Sequence, residues 1–378
     1  MGVVDMIINF DNAATTFPKP LSVRKAAAEA LEKYGGNAGR GGHALAMKTA
    51  EAVYSARETV AEFFGAEPEN VVFTLNCTHA LNMAIQGIMC GGGHIIISGL
   101  EHNSSVRPAA HLAQKGDVSL SVAEVFPEKE KTVESFRRLI RKDTKAIVCI
   151  LASNVTGQLL PWREIGKLCR ERNICFIADG AQACGIVDVK LGDGINILCT
   201  AGHKALYGTT GTGLLITDGK YPIEPLIRGG TGSASASLVQ PTLLPESLES
   251  GTLNTSGIMS LRAGIEFVKK LTIPRIAAYE EDICRRFVSG VSGSRKVTVY
   301  RSPDAEYVPI VSFNIEGLHP EKAAAQLAAE GYCLRAGLHC AALAHAQLGT
   351  KNGTIRFAPS VFSRREDAER LAERIVSM

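Results

Sequence analysis

The sequence predicts an α/β fold: a large domain with a mainly parallel sheet flanked by helices, plus a small α+β C-terminal domain. Three observations carry this expectation. Between residues 20 and 220 short apolar runs alternate with helical patterns, as when parallel strands are joined by helical crossovers. Two of those runs, 145–151 and 174–178, are almost continuously apolar, which suits strands covered on both faces. The 378 residues also exceed the roughly 150 of a usual single domain.

The elements follow in order. Pro18 and Pro20 precede an Ala/Glu/Lys-rich helix over 21–34. Apolar residues at helical spacing predict a second helix over 45–64. A strand over 71–75, a helix over 78–89, a strand over 94–98 and a helix over 104–115 come next. A strand over 119–125 and a helix over 132–141 lead to the apolar strand at 145–151. Pro161 opens a helix over 161–172, proline being well suited to a first helical turn. Strands over 174–178, 195–200 and 213–217 end this region. Residues 228–255 are rich in Gly, Ser, Thr and Pro with little apolar periodicity, and loops of that length inside a compact domain are usually functional. Two helices, 256–271 and 274–289, follow. The C-terminal unit reads as strand 308–315, helix 320–330, strand 332–335, strand 353–357 and helix 363–376. A domain boundary is expected near residue 260.

Composition narrows the function. Lys plus Arg number 41 against 38 Asp plus Glu, a net charge of +3, without the basic excess or local basic run of a nucleic-acid-binding protein. No apolar stretch reaches the roughly 20 residues a membrane span needs, and residues 1–16 lack the pattern of an export signal. A reduced, cytoplasmic protein is expected, with neither nucleic acid nor membrane as partner. Ten cysteines stand at 77, 90, 149, 169, 175, 184, 199, 284, 333 and 340. None forms a Cys-x-x-Cys pair, so no metal is expected. Most lie in apolar runs such as Val148-Cys149-Ile150 and read as small core side chains.

Two segments carry chemistry on their own residues. Lys204, in Cys199-Thr-Ala-Gly-His-Lys204, sits between an apolar strand and a glycine-rich turn. A desolvated lysine sheds its proton more readily and attacks carbonyls to form a Schiff base; read alone, Lys204 is more often a surface lysine at a strand end. Asp179 directly follows a buried strand in Ile177-Ala178-Asp179-Gly-Ala-Gln182. Ligands of open α/β sheets bind at that end, and a buried carboxylate there calls for a cation such as a protonated pyridine nitrogen. Read alone, Asp179 is equally a helix N-cap.

Taken together, the motifs resemble the class V, fold-type I pyridoxal phosphate (PLP) enzymes, and among them the cysteine desulfurases. The resemblance runs over nearly the whole chain in the family's order: Asn9-Phe-Asp-Asn-Ala-Ala-Thr15, Gly39-Arg-Gly-Gly-His43, Asn76-Cys-Thr78-His79, Glu101-His102-Asn103-Ser104 and Ser153-Asn154-Val-Thr-Gly157. Asp179-Gly-Ala-Gln182, Gly202-His-Lys204, Glu249-Ser-Gly-Thr252-Leu-Asn254, Arg335-Ala-Gly-Leu-His339-Cys340 and Thr354-Ile-Arg356-Phe complete the series. The resemblance implies a PLP-binding domain over 16–259. The small domain, 1–15 with 260–378, carries the cysteine loop and the carboxylate-binding arginine.

It also implies roles. Lys204 binds the cofactor and then moves protons. Asp179 holds the pyridine nitrogen protonated, Gln182 bonds the ring's phenolic oxygen, His102 lies on the ring face and Asn154 restrains the ring from the side. Thr78, His79 and His203 serve the phosphate at a helix N-terminus, with Thr252 reaching across from a second copy in a homodimer. Arg356 grips the substrate carboxylate, with Arg335, Ala14 and Asn154 nearby. Cys340 takes sulfur from L-cysteine, leaving L-alanine and an enzyme persulfide, because a thiolate beside a flanking cation is the suitable nucleophile. The Arg-x-Gly-x-His-Cys segment is closest to the Suf-type enzymes of iron–sulfur cluster assembly, whose short loop implies a dedicated sulfur-acceptor protein. L-Selenocysteine as substrate, or another class V reaction such as transamination or β-elimination, is the alternative. Several positions depart from the family pattern. Ala201 stands where many relatives carry a hydroxyl, with Thr200 one place off; Asn103, Ala205, Thr209 and Leu253 also differ.

Overall fold

The computed structural model describes residues 7–39, 41–233 and 236–378; Arg40 of the Gly39–His43 motif and the first six residues of the expected small domain lie outside them. In chain order the elements are β1 (Ile8–Asn9), α1 (Leu21–Lys33), α2 (Ala44–Phe64), β2 (Val71–Thr74), α3 (Cys77–Ile88), β3 (Gly93–Ser98) and α4 (Asn103–Lys115). They continue with β4 (Val118–Ala123), α5 (Lys129–Leu139), β5 (Thr144–Ile150), α6 (Trp162–Arg172), β6 (Cys175–Asp179), β7 (Ile197–Ala201) and β8 (Gly213–Thr217). The C-terminal part comprises α7 (Thr255–Leu271), α8 (Ile273–Ser292), β9 (Val297–Val299), β10 (Val311–Ile315), α9 (Pro320–Ala329), β11 (Tyr332–Cys333), β12 (Arg335–Gly337), α10 (Ala342–Leu348), β13 (Thr354–Phe357) and α11 (Arg365–Val376).

The large sheet has seven strands in the order β2-β8-β7-β6-β5-β3-β4. From β4 to β7 every pair is parallel, and β8 runs antiparallel to both of its neighbours. Every residue of β6 and β7 is buried. Successive side chains of a strand point to opposite faces, and here the two faces feed two cores. Ile147, Cys149, Phe176, Ala178 and Leu198 pack with apolar residues of α2, α5, α6 and α7. Val148, Cys175, Ile177, Ile197 and Cys199 pack with α3 and Ala109 of α4. The continuous apolar runs are therefore two interleaved faces, each covered by helices.

A smaller antiparallel sheet has the order β12-β13-β10-β9, with a core from α8, α9, α11 and the chain's beginning. Phe357 stacks on Phe287 with centroids 4.3 Å apart and meets Phe10 at 4.4 Å. Helix α7 packs on α1 and α2, whereas α8 packs on α11. Among the described residues no helix is long and apolar enough to cross a membrane.

Several expectations change in detail. The run at 332–335 is two strands: β11 pairs in parallel with β1, then β12 pairs antiparallel with β13. The expected strand at 308–315 begins only at Val311, because Pro309 has no N–H to donate to a ladder. β1 and β9 were not anticipated, being two and three residues long, too short for a periodic signal. Seven of the ten cysteines are buried, but Cys90 and Cys333 are exposed together with Cys340. That corrects the expectation of core side chains at positions 90 and 333. Cys90 lies just past the end of α3, and Cys333 is the exposed residue of a two-residue strand.

Candidate active site

Five turns leaving one end of the large sheet bring the chemistry-bearing residues together. The first links β2 to α3. Asn76 caps the helix, its Oδ1 accepting from the His79 N–H at 2.9 Å, so the chain turns sharply and leaves Thr78 exposed in the first turn. His79 accepts from the Leu75 N–H at 3.3 Å, while its Nε2 is buried without a partner. Burial lowers its pKa. Gly213 closes in on this cap: a Cβ there would lie 2.5 Å from the Asn76 carbonyl carbon. That glycine of the 208–213 turn serves close packing.

Asp179 ends β6 with 1% of its surface exposed. Its Oδ1 accepts from the Ala181 N–H at 2.9 Å and from the Cys77 thiol at 3.5 Å, and it makes no ion pair among the described residues. Gln182 follows, its amide donating to the Ala13 carbonyl at 3.0 Å.

Past β7 the chain reaches His203 and half-buried Lys204. Burial pushes the Lys204 pKa down, opposed by Asp179. His203 is driven down to about 4, first by burial and then by Lys204 and Lys19; its Nδ1 has no partner. The His203 carbonyl accepts from Lys19 Nζ at 2.7 Å, Thr15 Oγ1 at 3.1 Å and the Thr16 N–H at 3.2 Å. The entry motif is thereby tied to the lysine turn. Thr200 donates to the Gly180 carbonyl at 3.3 Å, so it is committed to the neighbouring strand end and does not replace the hydroxyl missing at Ala201.

His102 caps α4, its Nδ1 accepting from the Ser104 N–H at 3.1 Å. Its pKa is lowered, chiefly by burial, which favours the neutral ring. Asn154, beyond β5, donates to the His339 carbonyl at 2.8 Å and keeps a buried, unpartnered Oδ1.

The small sheet supplies the remainder. Arg356 on β13 is 1% exposed. Its Nη2 donates to Asp11 at 2.8 Å and its Nη1 to the Asn154 carbonyl at 3.0 Å, with Nε unpartnered. Cys340 is exposed, and Arg335 points Nη2 at its sulfur from 3.6 Å. His339 and Cys340 have φ of 48° and 57°, a left-handed conformation that costs a non-glycine residue. Three bonds hold it. The Asn103 N–H donates to the Cys340 carbonyl at 2.7 Å, Asn154 holds the His339 carbonyl, and His339 Nε2 lies 2.9 Å from the Thr354 carbonyl. Thr78, His102 and Cys340 line one cavity of about 360 Å³.

Ala14 lies in the turn next to Ala13, its N–H donating to the Asp11 carbonyl at 3.1 Å. Thr252 is the exception to this convergence. It accepts from Asn37 Nδ2 at 3.2 Å and lines a different cavity of about 290 Å³ with Arg57 and Glu249.

The class-V aminotransferase family model matches residues 8–371. The chain belongs to this family. A probable cysteine desulfurase of Methanothermobacter thermautotrophicus is 30% identical over 96% of this chain and 92% of that protein. The structure of a cysteine desulfurase from Thermococcus onnurineus NA1 superposes with a TM-score of 0.92 at 31% identity, covering 98% of this chain and 95% of that one. A cysteine desulfurase from Escherichia coli, at 24% identity and a TM-score of 0.88 over 98% of this chain and 95% of that one, shares the fold.

Class-V aminotransferases depend on PLP, and the residues present fit that group. Asp179 is a buried carboxylate with no ion pair among the described residues, and a pyridinium nitrogen supplies such a partner. His79 Nε2, His203 Nδ1 and Asn154 Oδ1 are buried polar atoms without partners, and such atoms are rare unless a ligand or water satisfies them. The α3 N-terminus offers free N–H groups to an anion. Among the described residues no group of three or more His, Cys, Asp or Glu is placed to hold a metal ion.

The sequence alone left Asp11 unassigned as the counter-charge of Arg356, Asn103 as the anchor of Cys340, and Glu101, next to His102 in the chain, as a fully buried acid. Asp11 had a signal, since it is the one acid of the entry motif and a buried arginine needs an anion. The Asn103 contact is made by backbone and leaves no trace in residue identity.

Proposed function

We propose that this class-V aminotransferase homologue is a PLP-dependent cysteine desulfurase that converts L-cysteine to L-alanine and takes the sulfur onto Cys340. The observation that carries the reading is the exposed Cys340 thiol, pinned in a left-handed turn at the mouth of the cavity shared with His102 and Thr78.

Lys204 would hold the cofactor covalently, Asp179 would pair with its ring nitrogen and Gln182 with its phenolic oxygen. Thr78, His79, His203 and the α3 N-terminus would take its phosphate. When bound, PLP supplies an electron-withdrawing ring that loosens bonds around the substrate α-carbon. The chain's own residues do the rest. Arg356 is held by Asp11 and the Asn154 carbonyl, and keeps Nε–H and further Nη protons for the substrate carboxylate. Lys204, desolvated, and His102, held neutral, give and take protons at the substrate carbons. The Cys340 thiolate attacks the substrate sulfur. A new S–S bond forms and the Cβ–S bond breaks, its electron pair staying on the carbon side, where a proton completes the alanine methyl. The enzyme keeps the sulfur as a persulfide.

A sulfur-acceptor protein then collects it, because Cys340 sits on a short, fully tied turn with little reach. Separation of Thr252 from its own Lys204 supports a homodimer in which it serves the other copy's phosphate. Seven buried free thiols suit a reducing, cytoplasmic setting. The packing of α7 on α1 and α2 supports a small domain that begins at α8, not at residue 260.

Purified protein reconstituted with PLP is tested for a visible absorption band and for alanine from L-cysteine. Lys204→Ala should lose the covalent band. Cys340→Ala should lose desulfuration while keeping the cofactor; full-rate desulfuration by that variant, or a keto acid in place of alanine, overturns the reading. Running Cys340→Ala on L-selenocysteine separates the two chalcogens, since selenium leaves without a persulfide.

A further inference from the structure

Glu101 takes no part in the reaction described above, yet it is the most fully enclosed acid near the site, with 0% of its surface exposed. It lies in the turn after β3, one residue before His102. Its two oxygens are treated unequally. Oε1 accepts from Ser98 Oγ at 2.7 Å and from the Ile150 N–H. Oε2 is buried with no partner. Ile150 pairs in register with Asp179 across β5 and β6, so the two carboxyls stand behind the same strand ends. The titratable groups around Glu101 are Asp179 from β6, Cys149 from β5 and its chain neighbour His102. No cation pairs with Glu101 among the described residues.

An ionised carboxylate needs donors on both oxygens, whereas a protonated one needs donors on one and an acceptor for its hydrogen on the other. Oε1 already has two donors, and the buried Ser105 hydroxyl beside the carboxyl offers an acceptor for a hydrogen on Oε2, which matches the protonated form. Two carboxyls so placed do not both ionise freely. Burial, then the charge of Asp179, raises the Glu101 pKa to about 7.

We propose that Glu101 is a positioning residue that shares one negative charge with Asp179: its proton sits on Oε2, and releasing it to solvent strengthens the hold of Asp179 on the cofactor's ring-nitrogen proton. The second charge acts through Asp179 on the groups facing it, the pyridine nitrogen and the Lys204 linkage, and raises their affinity for protons. The inference rests on the PLP reading of the site and assigns Glu101 a task within it.

The test is a pH titration of the visible absorption band of the PLP-loaded protein, with no substrate present. Wild type should show a step near neutral pH besides the main titration. Glu101→Gln, a neutral mimic of the same shape, should lose that step and keep the main one. Ser98→Ala removes a donor from the charged form, so the step should move up by about one pH unit. Identical titrations of wild type and Glu101→Gln, or a step that Ser98→Ala leaves in place, overturn the assignment of Glu101. Should Glu101→Gln fail to fold, Ser98→Ala decides alone. A protein that develops no visible band with PLP overturns the cofactor reading underneath and the inference with it.

Discussion

The loop that carries Thr252 is fastened by a buried ion pair, and breaking it should unlatch the loop. Arg57 of α2 donates from Nη1 and Nη2 to the two oxygens of Glu249 at 2.9 and 2.8 Å. The side chains are 7% and 6% exposed. Glu249 also accepts from the Phe73 N–H at 2.6 Å, while Arg57 donates to the Val71 carbonyl and lies 4.8 Å over the Phe73 ring. Glu249→Ala leaves a guanidinium with one carbonyl and a ring face in place of a carboxylate. Stranding one member of a buried pair costs about 3–5 kcal/mol, which lowers the folded-to-unfolded ratio by roughly two to four orders of magnitude. Arg57→Met with Glu249→Gln removes both charges, and that cost should fall well below the sum of the single changes. The assay is urea unfolding followed by fluorescence of Trp162, the single tryptophan, which is buried in the large core. The same variants should retain PLP less well, since Thr252 lies three residues beyond Glu249. A loss below about 1 kcal/mol for Glu249→Ala, or strictly additive costs in the double variant, refutes the clamp.

Three further outcomes are expected. Asp11→Asn removes the carboxylate that holds Arg356; losing a charge-assisted hydrogen bond should raise KM for L-cysteine by about 10- to 100-fold with kcat less affected, measured by alanine release. His339 is pushed down to about 3 from its ordinary 6.5, first by burial and then by Arg356 and Arg335. Below 6.5 the unfolded chain binds a proton that the folded chain refuses, so this stability is present above that pH and drains away as pH falls toward 3. Between pH 7 and 5 the loss is about 2 kcal/mol, and His339→Asn, which tolerates a left-handed φ, should flatten that part of the curve in urea melts. A thiol reagent should label three cysteines in the folded protein, at 90, 333 and 340, and all ten once it is unfolded. A folded count of one returns the other two to the core.

Much of this protein was legible along the chain. The apolar runs at 145–151 and 174–178, broken by helical patterns, determined a covered parallel sheet because only strands buried on both faces can be so uniformly apolar. Asp179 and Lys204 were visible because each follows a buried strand, where a charged side chain needs a reason. Cys340 stood apart from Cys149 or Cys175 because its neighbours are Gly, His and Arg rather than aliphatic residues. What the chain could not disclose depends on distances between segments far apart in sequence. Asp11 meets Arg356 across 345 residues, Asn103 N–H meets the Cys340 carbonyl, and Glu249 of the long glycine-rich loop meets Arg57 across 192 residues. Each is a pairing of charges or backbone groups, and neither carries the periodicity that marks a helix or strand. The unequal surroundings of the two Glu101 oxygens, and the exposure of Cys90 and Cys333, were likewise decided by packing. Which atoms face water and which face each other is settled only when the two sheets and their helices close around the site.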